Sequence, residues 1–268
     1  MSEQLLDGEQ SGVEQLLDGE QSGGEQLATG EQSGSKWPKR LFWLVAVGLL
    51  VGWGLTWGLD SPLRPVLAQR EGIRNAVAHV SGTACGTFIE GTGFMVEPGL
   101  VITNAHVVAG IDRIEVGAPG RGPVIATLAG FDPGRDIAAL SVPDLGASPV
   151  ALSSKGAVAT EIGDVATVDS DGKLVFVPFE VTARRLDVGR DFYGQQTQGR
   201  DVLEISSTLA AGDSGAALVN ISGEVVGMAF GIHRGRQNPG YALDGGEIAD
   251  FLAETDRTPI PTPPCRTL

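Results

Sequence analysis

The sequence predicts an all-β domain of two barrels with a short C-terminal helix, preceded by one transmembrane helix and a disordered tail. Three observations support this architecture. Residues 1–35 are an acidic repeat, residues 41–59 are an uncharged apolar run, and the remaining chain shows short β-type runs between glycine-rich turns.

The N-terminal 35 residues repeat with a period of eleven. The copies EQLLDGEQSGV, EQLLDGEQSGG and EQLATGEQSGS occupy residues 3–13, 14–24 and 25–35. Each copy has two or three glycines and only two or three apolar residues, which cannot form a core, so the tail is predicted to be disordered. Its eight acidic residues contribute to a formal net charge of -14, and this balance argues against a nucleic-acid partner.

The apolar run of residues 41–59 is long enough to cross a bilayer. Its residues, LFWLVAVGLLVGWGLTWGL, include no charged side chain, and a helix of this length spans about 28 Å. The preceding segment 36–40 carries three basic residues and Asp60 follows the run. The positive-inside rule therefore predicts a single-pass membrane protein with a cytoplasmic N-terminus and an extracytoplasmic domain.

A signal peptide is the alternative for the same run. The sequence Val66–Leu67–Ala68 fits a cleavage site, so cutting after Ala68 could release the domain. The run is longer than an ordinary signal core and follows an unusually long N-terminal segment, which favours retention as an anchor. Residues 60–77 are then a linker, and the domain is exported in either case.

The rest of the chain is dominated by predicted strands. They cover residues 87–89, 92–96, 101–103, 137–142, 165–168, 174–179, 202–205, 216–219 and 224–230. Asp169 to Gly172 are predicted to form a hairpin turn, and residues 245–253 a late helix.

Two short segments together indicate nucleophilic catalysis. Gly212 to Gly215 read GDSG, and Thr103 to His106 read TNAH. A serine hydroxyl attacks a carbonyl only when a base takes its proton, so Ser214 is the predicted nucleophile and His106 the predicted base. The N–H groups of Gly212 and Ser214 are the predicted oxyanion donors. Alone, GDSG could be a polar turn, and the other histidines, His79 and His233, are interpreted as structural.

The carboxylate that orients the histidine is expected between these two segments. Asp136, in GRDIAALSV, precedes a buried apolar strand that would anchor it, and Asp132 is the second choice. No metal-ligand cluster or phosphate-binding loop is visible in the sequence, so no metal and no cofactor is expected.

These segments resemble the trypsin/chymotrypsin-fold serine proteases of bacteria, most closely the membrane-anchored periplasmic acid-resistance proteases of actinobacteria. The resemblance covers nearly all of residues 78–268 and rests on GTGFMVEPGLVITNAHVVAG, GRDIAAL, STLAAGDSGAALVN, GEVVGMAFG and GYALDGGEIADFL. It implies two six-stranded antiparallel barrels and an exported serine endopeptidase that acts through an acyl-enzyme on protein or peptide substrates in envelope stress. The sequence departs from these relatives in having one span rather than several. Stress proteases of the related high-temperature-requirement family append a PDZ domain, for which the 18 residues after Asp250 are expected to leave no room.

The same resemblance suggests substrate contacts. It implies that Thr208 lies at the base of the specificity pocket and that Ala229, Phe230 and Gly231 pair with substrate backbone. Because residue 208 is uncharged, a small or medium apolar residue is expected before the scissile bond.

Two further departures concern the nucleophile. Ala216–Ala217 stands where the relatives carry Gly-Pro. In trypsin-like zymogens the aspartate matching Asp213 pairs with a freed N-terminus, which is not evident here. We therefore expect Asp213 to be neutralised by backbone donors or by an internal base, with Arg184 and Arg185 as candidates.

Cys85 and Cys265 are the only cysteines. Outside the membrane an even pair predicts a disulfide, which would hold the C-terminal segment against the N-terminal barrel and could make activity redox-sensitive. Two unrelated thiols are the alternative.

Two other functions fit the same residues. A catalytically silent module could use the cleft to bind peptides by strand pairing. An esterase-type hydrolase could use the same three residues on another acyl carbon.

Overall fold

Two β-barrels make up most of the protein that the structure describes. This computed structural model describes residues 70–143, 145–169, 171–232 and 239–265. The predicted repeats, basic segment and apolar run, the Ala68 cleavage site and His233 lie outside the described residues. Among the described residues, no helix is both long and apolar enough to span a membrane.

The described chain contains thirteen strands and two bounded helices. The strands are β1 Val77–Ala84, β2 Thr87–Glu97, β3 Leu100–Thr103, β4 Ile114–Gly117, β5 Val124–Asp132, β6 Ile137–Ser141, β7 Ala151–Leu152, β8 Ile162–Val168, β9 Leu174–Asp187, β10 Arg200–Ser206, β11 Ala217–Asn220, β12 Glu224–Ile232 and β13 Gly240–Asp244. The helices are α1 Ala105–Val108 and α2 Gly245–Glu254.

The strands close into two barrels, as expected from the sequence. The first has the order β1-β2-β3-β6-β5-β4, and the second has the order β11-β8-β9-β10-β13-β12, closed by pairing of β11 with β12. All pairings within the two barrels are antiparallel, and only the short β7 adds to β12 in parallel. The prediction of two six-stranded barrels with a C-terminal helix is confirmed.

Three apolar clusters hold the barrels together, one inside each barrel and one between them. In β6, Ile137 and Ala139 belong to the cluster between the barrels, whereas Ala138 and Leu140 belong to the interior of the first. Because successive strand side chains point to opposite faces, a strand buried on both faces must be apolar throughout. This is why IAAL carries no polar residue, and it places Asp136 at the junction between the barrels.

Helix α2 closes the cluster between the barrels from one end. Asp244 caps it by accepting a hydrogen bond from Gly246 N at 2.9 Å. Its buried residues Ile248 and Phe251 join the cluster. The predicted helix over 245–253 is confirmed with one residue more, and the predicted turn joins β8 to β9, with Gly172 at φ +74°.

The C-terminal segment crosses the first barrel and is tied to it. Ile260 N donates to Leu128 O and Gly110 N donates to Pro263 O, both at 2.9 Å. The segment ends in a disulfide between Cys265 and Cys85, whose Cα atoms are 6.3 Å apart. The predicted disulfide is confirmed, and it closes a loop with a sequence separation of 180 residues.

Candidate active site

His106 lies where the first barrel faces the second. Strand β3 ends at Thr103, and the chain turns at Asn104 into the short helix α1. Thr103 Oγ1 donates to Thr92 O at 2.7 Å, which fixes the end of β3 against β2. The imidazole of His106 keeps 32% of its side-chain surface exposed, so one edge of the ring can meet a substrate.

The structure brings His106 and Asp136 into direct contact. His106 Nδ1 is 2.7 Å from Asp136 Oδ2, and the backbone N–H of His106 donates to Asp136 Oδ1 at 3.0 Å. Asp136 is buried. Two contacts to one carboxylate fix both the position of the helix start and the orientation of the ring.

Asp136 adopts a backbone conformation that needs support. Its φ is +59°, a region that non-glycine residues rarely occupy. Asn104 Nδ2 donates to Asp136 O at 2.9 Å, and Arg200 Nη1 donates to Arg135 O at 2.8 Å. Side chains from both barrels therefore hold the two carbonyls that flank this residue.

The second-choice carboxylate, Asp132, caps the turn that precedes Asp136. Its Oδ1 accepts from the N–H groups of Gly134 and Arg135 at 2.8 and 3.0 Å. Arg135 also binds Glu254 and Glu247 of α2, at 2.7 and 3.0 Å. The hydrogen bond with Glu254 raises the pKa of Arg135 and lowers that of Glu254. The turn before Asp136 is thus anchored to the C-terminal helix.

Ser214 follows a loop whose glycines are required by the backbone. Gly212 and Gly215 have φ values of +96° and +87°. A Cβ on Gly215 would collide with Thr92 O, whereas nothing lies within 4 Å of the Cβ position of Gly212. Within the described residues, neither the N–H of Gly212 nor that of Ser214 donates a hydrogen bond, so both are available to an incoming oxygen.

The loop is docked against the barrel that carries His106. Thr92 N donates to Ser214 O at 2.8 Å. A Cβ on Gly91 would lie 2.8 Å from Val107 Cγ1 and 2.9 Å from Ser214 O, so the two predicted catalytic segments meet at this glycine. No hydrogen bond joins Ser214 Oγ to His106 in the described part of the chain. Such bonds are often long in an empty site and tighten when substrate binds.

Asp213 is buried beside Ser214, and its partners correct one expectation. Arg184 binds Asp201 at 2.6 Å and Arg185 binds Glu204 at 2.8 Å, so neither neutralises Asp213. These arginines lie on β9, and their carboxylate partners lie on the adjacent strand β10. Asp213 instead accepts hydrogen bonds from Thr167 Oγ1 at 2.6 Å and from Ala210 N at 2.7 Å.

A cavity of about 190 Å³ opens next to Ser214. Its wall is mostly apolar and is formed by Leu209, Ala210, Ala211, Ala229 and Gly231, together with Asp213 and Ser214. Thr208 lines a second cavity of about 740 Å³, and Leu209 borders both. The structure therefore brings Ala229 and Gly231 to the cavity beside Ser214, whereas Thr208 lines the larger cavity.

Phe230 sits at an irregularity in β12 and contacts a buried arginine. The register of β12 against β13 shifts between Ala229 and Gly231, so Phe230 has no partner residue in β13. The Arg200 guanidinium carbon is 4.4 Å from the centre of the Phe230 ring. Nothing in the sequence singled out Arg200 or Thr167, because each acts through neighbours that are distant in the chain, and Leu209 was missed because an apolar side chain carries no reactive group.

Two closed six-stranded barrels, with a paired histidine and carboxylate on the first and a glycine-flanked serine on the second, are typical of a trypsin-like serine peptidase domain. The family model described as trypsin-like peptidase domain matches residues 91–228. The chain belongs to this family.

Named relatives and solved structures agree with this assignment. Serine protease Rv3671c of Mycobacterium tuberculosis is 35% identical over 183 residues, which cover 68% of this chain and 46% of that protein. Serine protease HTRA1 of Xenopus laevis is 30% identical over 170 residues, covering 62% of this chain and 36% of the relative. The chain therefore spans less than half of the length of either relative.

Crystal structures of the M. tuberculosis Rv3671c protease are similar to the described fold. The active form superposes with a TM-score of 0.70 at 32% identity and covers 77% of this chain and 92% of that one. The inactive form gives a TM-score of 0.63 at 31% identity, covering 73% and 96% of the two chains.

Proposed function

We propose that this protein is a membrane-anchored extracytoplasmic serine endopeptidase with His106, Asp136 and Ser214 as its catalytic triad. The observation that carries the proposal is the 2.7 Å contact between His106 Nδ1 and Asp136 Oδ2. This contact holds the ring so that Nε2 is the free nitrogen, the one that must accept a proton from a serine. Membership of the trypsin-like peptidase family supports the same chemistry.

The reaction begins when Ser214 Oγ attacks the scissile carbonyl carbon. His106 Nε2 takes the hydroxyl proton, and the carbonyl oxygen becomes an oxyanion that accepts from the N–H groups of Gly212 and Ser214. The C–N bond then breaks as His106 passes its proton to the leaving amine. Water hydrolyses the resulting acyl-enzyme by the same sequence of proton transfers, while Asp136 stabilises the imidazolium formed in each half of the reaction.

The substrate is a protein or peptide with a small or medium apolar residue before the scissile bond. Support comes from the cavity beside Ser214, whose wall of alanines, glycine and Leu209 offers an incoming side chain apolar contact and no basic group. Ala229 and Gly231 of β12 line the same space, so an extended peptide could pair with this strand. Substituting Leu209→Ala should shift the preference towards larger side chains, measured as kcat/KM ratios across a peptide series.

The location is supported by two features. Disulfides persist mainly in oxidising compartments, so the Cys85–Cys265 bond supports a location of the domain outside the cytoplasm. The uncharged run 41–59 behind a basic segment supplies the anchor. An anchored extracytoplasmic protease is suited to envelope stress. Protease digestion of intact cells should remove the domain while sparing the acidic repeats.

The deciding experiment is fluorophosphonate labelling of the full chain beside its Ser214→Ala variant, followed by assays on peptide amides and matched esters. Labelling and amide hydrolysis that both vanish in the variant would support the proposal. Ester hydrolysis without amide hydrolysis would favour the esterase, and peptide binding without labelling would favour the silent binding module.

A further inference from the structure

The loop that would form the oxyanion hole is held by threonine hydroxyl groups. Asp213, the residue before Ser214, is 9% exposed and lacks an ion pair among the described residues. A buried carboxylate is costly unless hydrogen bonds satisfy it. Here the donors are the Thr167 hydroxyl at 2.6 Å and the Ala210 N–H at 2.7 Å, one on each carboxylate oxygen.

Counting protons gives this network a direction. The single hydroxyl proton of Thr167 goes to Asp213, so Thr167 Oγ1 can only accept from Thr92 Oγ1, which is 3.1 Å away. Thr92 Oγ1 also has one proton, which it shares in a bifurcated hydrogen bond between Thr167 Oγ1 and Gly212 O, 3.0 Å away, and it accepts from Val168 N at 3.3 Å. Thr92 is fully buried and Thr167 nearly so.

The network fixes both ends of the peptide between Gly212 and Asp213. Thr92 holds the carbonyl of Gly212, and Thr167 holds the side chain of Asp213. Thr92 N also binds Ser214 O at 2.8 Å. The N–H groups of Gly212 and Ser214 are left without an acceptor in the described part of the chain, as an oxyanion hole requires.

We propose that Thr167 and Thr92 are positioning residues that lock the oxyanion loop in its competent conformation. The inference rests on the proposed function and deepens it. Thr92 lies on β2 of the first barrel and Thr167 on β8 of the second, so the lock spans the junction between the barrels. Because hydroxyl and amide donors satisfy Asp213, the loop needs no newly cut N-terminus to form an ion pair with it.

The test compares valine and serine variants in the full chain. Thr167→Val keeps the shape but loses the hydroxyl, and Thr167→Ser keeps the hydroxyl. Removing an oxyanion donor typically costs about a hundredfold in kcat, so we expect at least about a tenfold loss of kcat for Thr167→Val with little change in KM. Thr167→Ser should stay within about threefold of wild type, and Thr92→Val and Thr92→Ser should behave in the same way.

A matched control removes a threonine hydroxyl elsewhere. Thr255 Oγ1 donates to Phe251 O at 2.7 Å at the end of α2, and Thr255→Val should leave kcat unchanged. Unchanged kcat in a folded Thr167→Val protein would overturn the proposal, as would an equal loss in Thr167→Ser. If the valine variants do not fold, Thr167→Cys has the size of Thr167→Ser but a weaker donor, and equal kcat in these two would also overturn it.

Hydrogen exchange separates this inference from the proposed function. The hydrogen-bonded amides of Ala210 and Asp213 should exchange at least about tenfold faster in Thr167→Val than in wild type, whether or not the protein cleaves peptides. An inactive wild type with this difference would contradict the protease but not the lock. Active wild type with identical exchange in the variant would contradict the lock alone.

Discussion

Arg200 donates a 2.8 Å hydrogen bond to the carbonyl oxygen of Arg135, the residue before Asp136. Its guanidinium also lies over Phe230, in the strand that lines the cavity beside Ser214. The Arg200 side chain is 13% exposed, so its contacts are mainly with neighbouring protein groups and not with solvent. One side chain therefore connects the turn carrying the proposed triad carboxylate to the proposed substrate strand.

Replacing Arg200 should damage catalysis. Arg200→Met keeps much of the apolar stem but frees the carbonyl of Arg135, and Asp136 at φ +59° loses part of its support. We expect kcat/KM to fall by about tenfold, since displacing a catalytic group costs on this order or more. Steady-state kinetics with a peptide substrate would measure it.

The control for Arg200 is an exposed arginine of the same barrel. Arg185 is 68% exposed, and among the described residues its ion pair is with Glu204, so Arg185→Met should change kcat/KM less than twofold. Equal effects of the two substitutions would contradict the role given to Arg200.

Gly212→Ala should lower activity strongly while lowering stability only slightly. Nothing lies within 4 Å of the new Cβ, but φ is +96°, so alanine favours a rotation that turns the N–H away from the oxyanion site. We expect kcat to fall about a hundredfold and the free energy of unfolding by only about 1 kcal/mol. Gly172, at φ +74° with open space around its Cβ position, provides a control with the same backbone cost. Gly172→Ala should match its stability loss and retain kcat.

Breaking the disulfide should lower stability. The bond joins residues 180 apart, and the chain-entropy model gives about 4–5 kcal/mol for a loop of this size. We expect the free energy of unfolding of the Cys85→Ala/Cys265→Ala protein to be lower than that of wild type by this amount, as measured by urea unfolding. Reduced wild type should show the same loss. If reduction lowers peptidase activity in parallel, the activity is redox-sensitive. A loss well below 1 kcal/mol would show that the other contacts of the C-terminal segment suffice.

Asp244 should make stability depend on pH. It is completely buried, and burial raises the pKa of its carboxyl above the ordinary value of 3.8. The folded state therefore holds this proton more tightly than the unfolded state, so its contribution to stability is present at low pH and lost as pH rises through the raised pKa. As pH falls from neutrality to about 4, the free energy of unfolding of wild type should rise relative to that of Asp244→Asn. Urea unfolding at several pH values would measure it, and a constant difference would contradict the assignment.

The strands that were predicted from the sequence are mainly those with an uninterrupted run of apolar residues. The run IAAL in β6 is buried on both faces, and β8, β11 and β12 are similarly rich in apolar residues. The prediction missed β1, β4, β5, β7 and β13, and split β2 in two. In β1 and β2, glycines interrupt the apolar pattern where another chain segment approaches closely, as Gly91 does with Val107 and Ser214. In a sequence, such a glycine is read as a turn and ends the predicted strand. In the structure, it lies within a strand at a point of close contact.

The sequence by itself determined the barrel fold, the order of the candidate catalytic segments and the pairing of two cysteines. These follow from residue types and spacings that the chain carries locally. Only the tertiary structure decided which groups satisfy Asp213, why Asp136 can hold a left-handed conformation and where Thr208 lies relative to Ser214. The arginines expected near Asp213 pair with carboxylates of β10 instead, because strand register sets the direction of every side chain, and Thr167 and the Ala210 N–H satisfy the Asp213 carboxylate. Hydrogen bonds across the barrel junction join residues 65 or more positions apart, and no local pattern specifies such pairs.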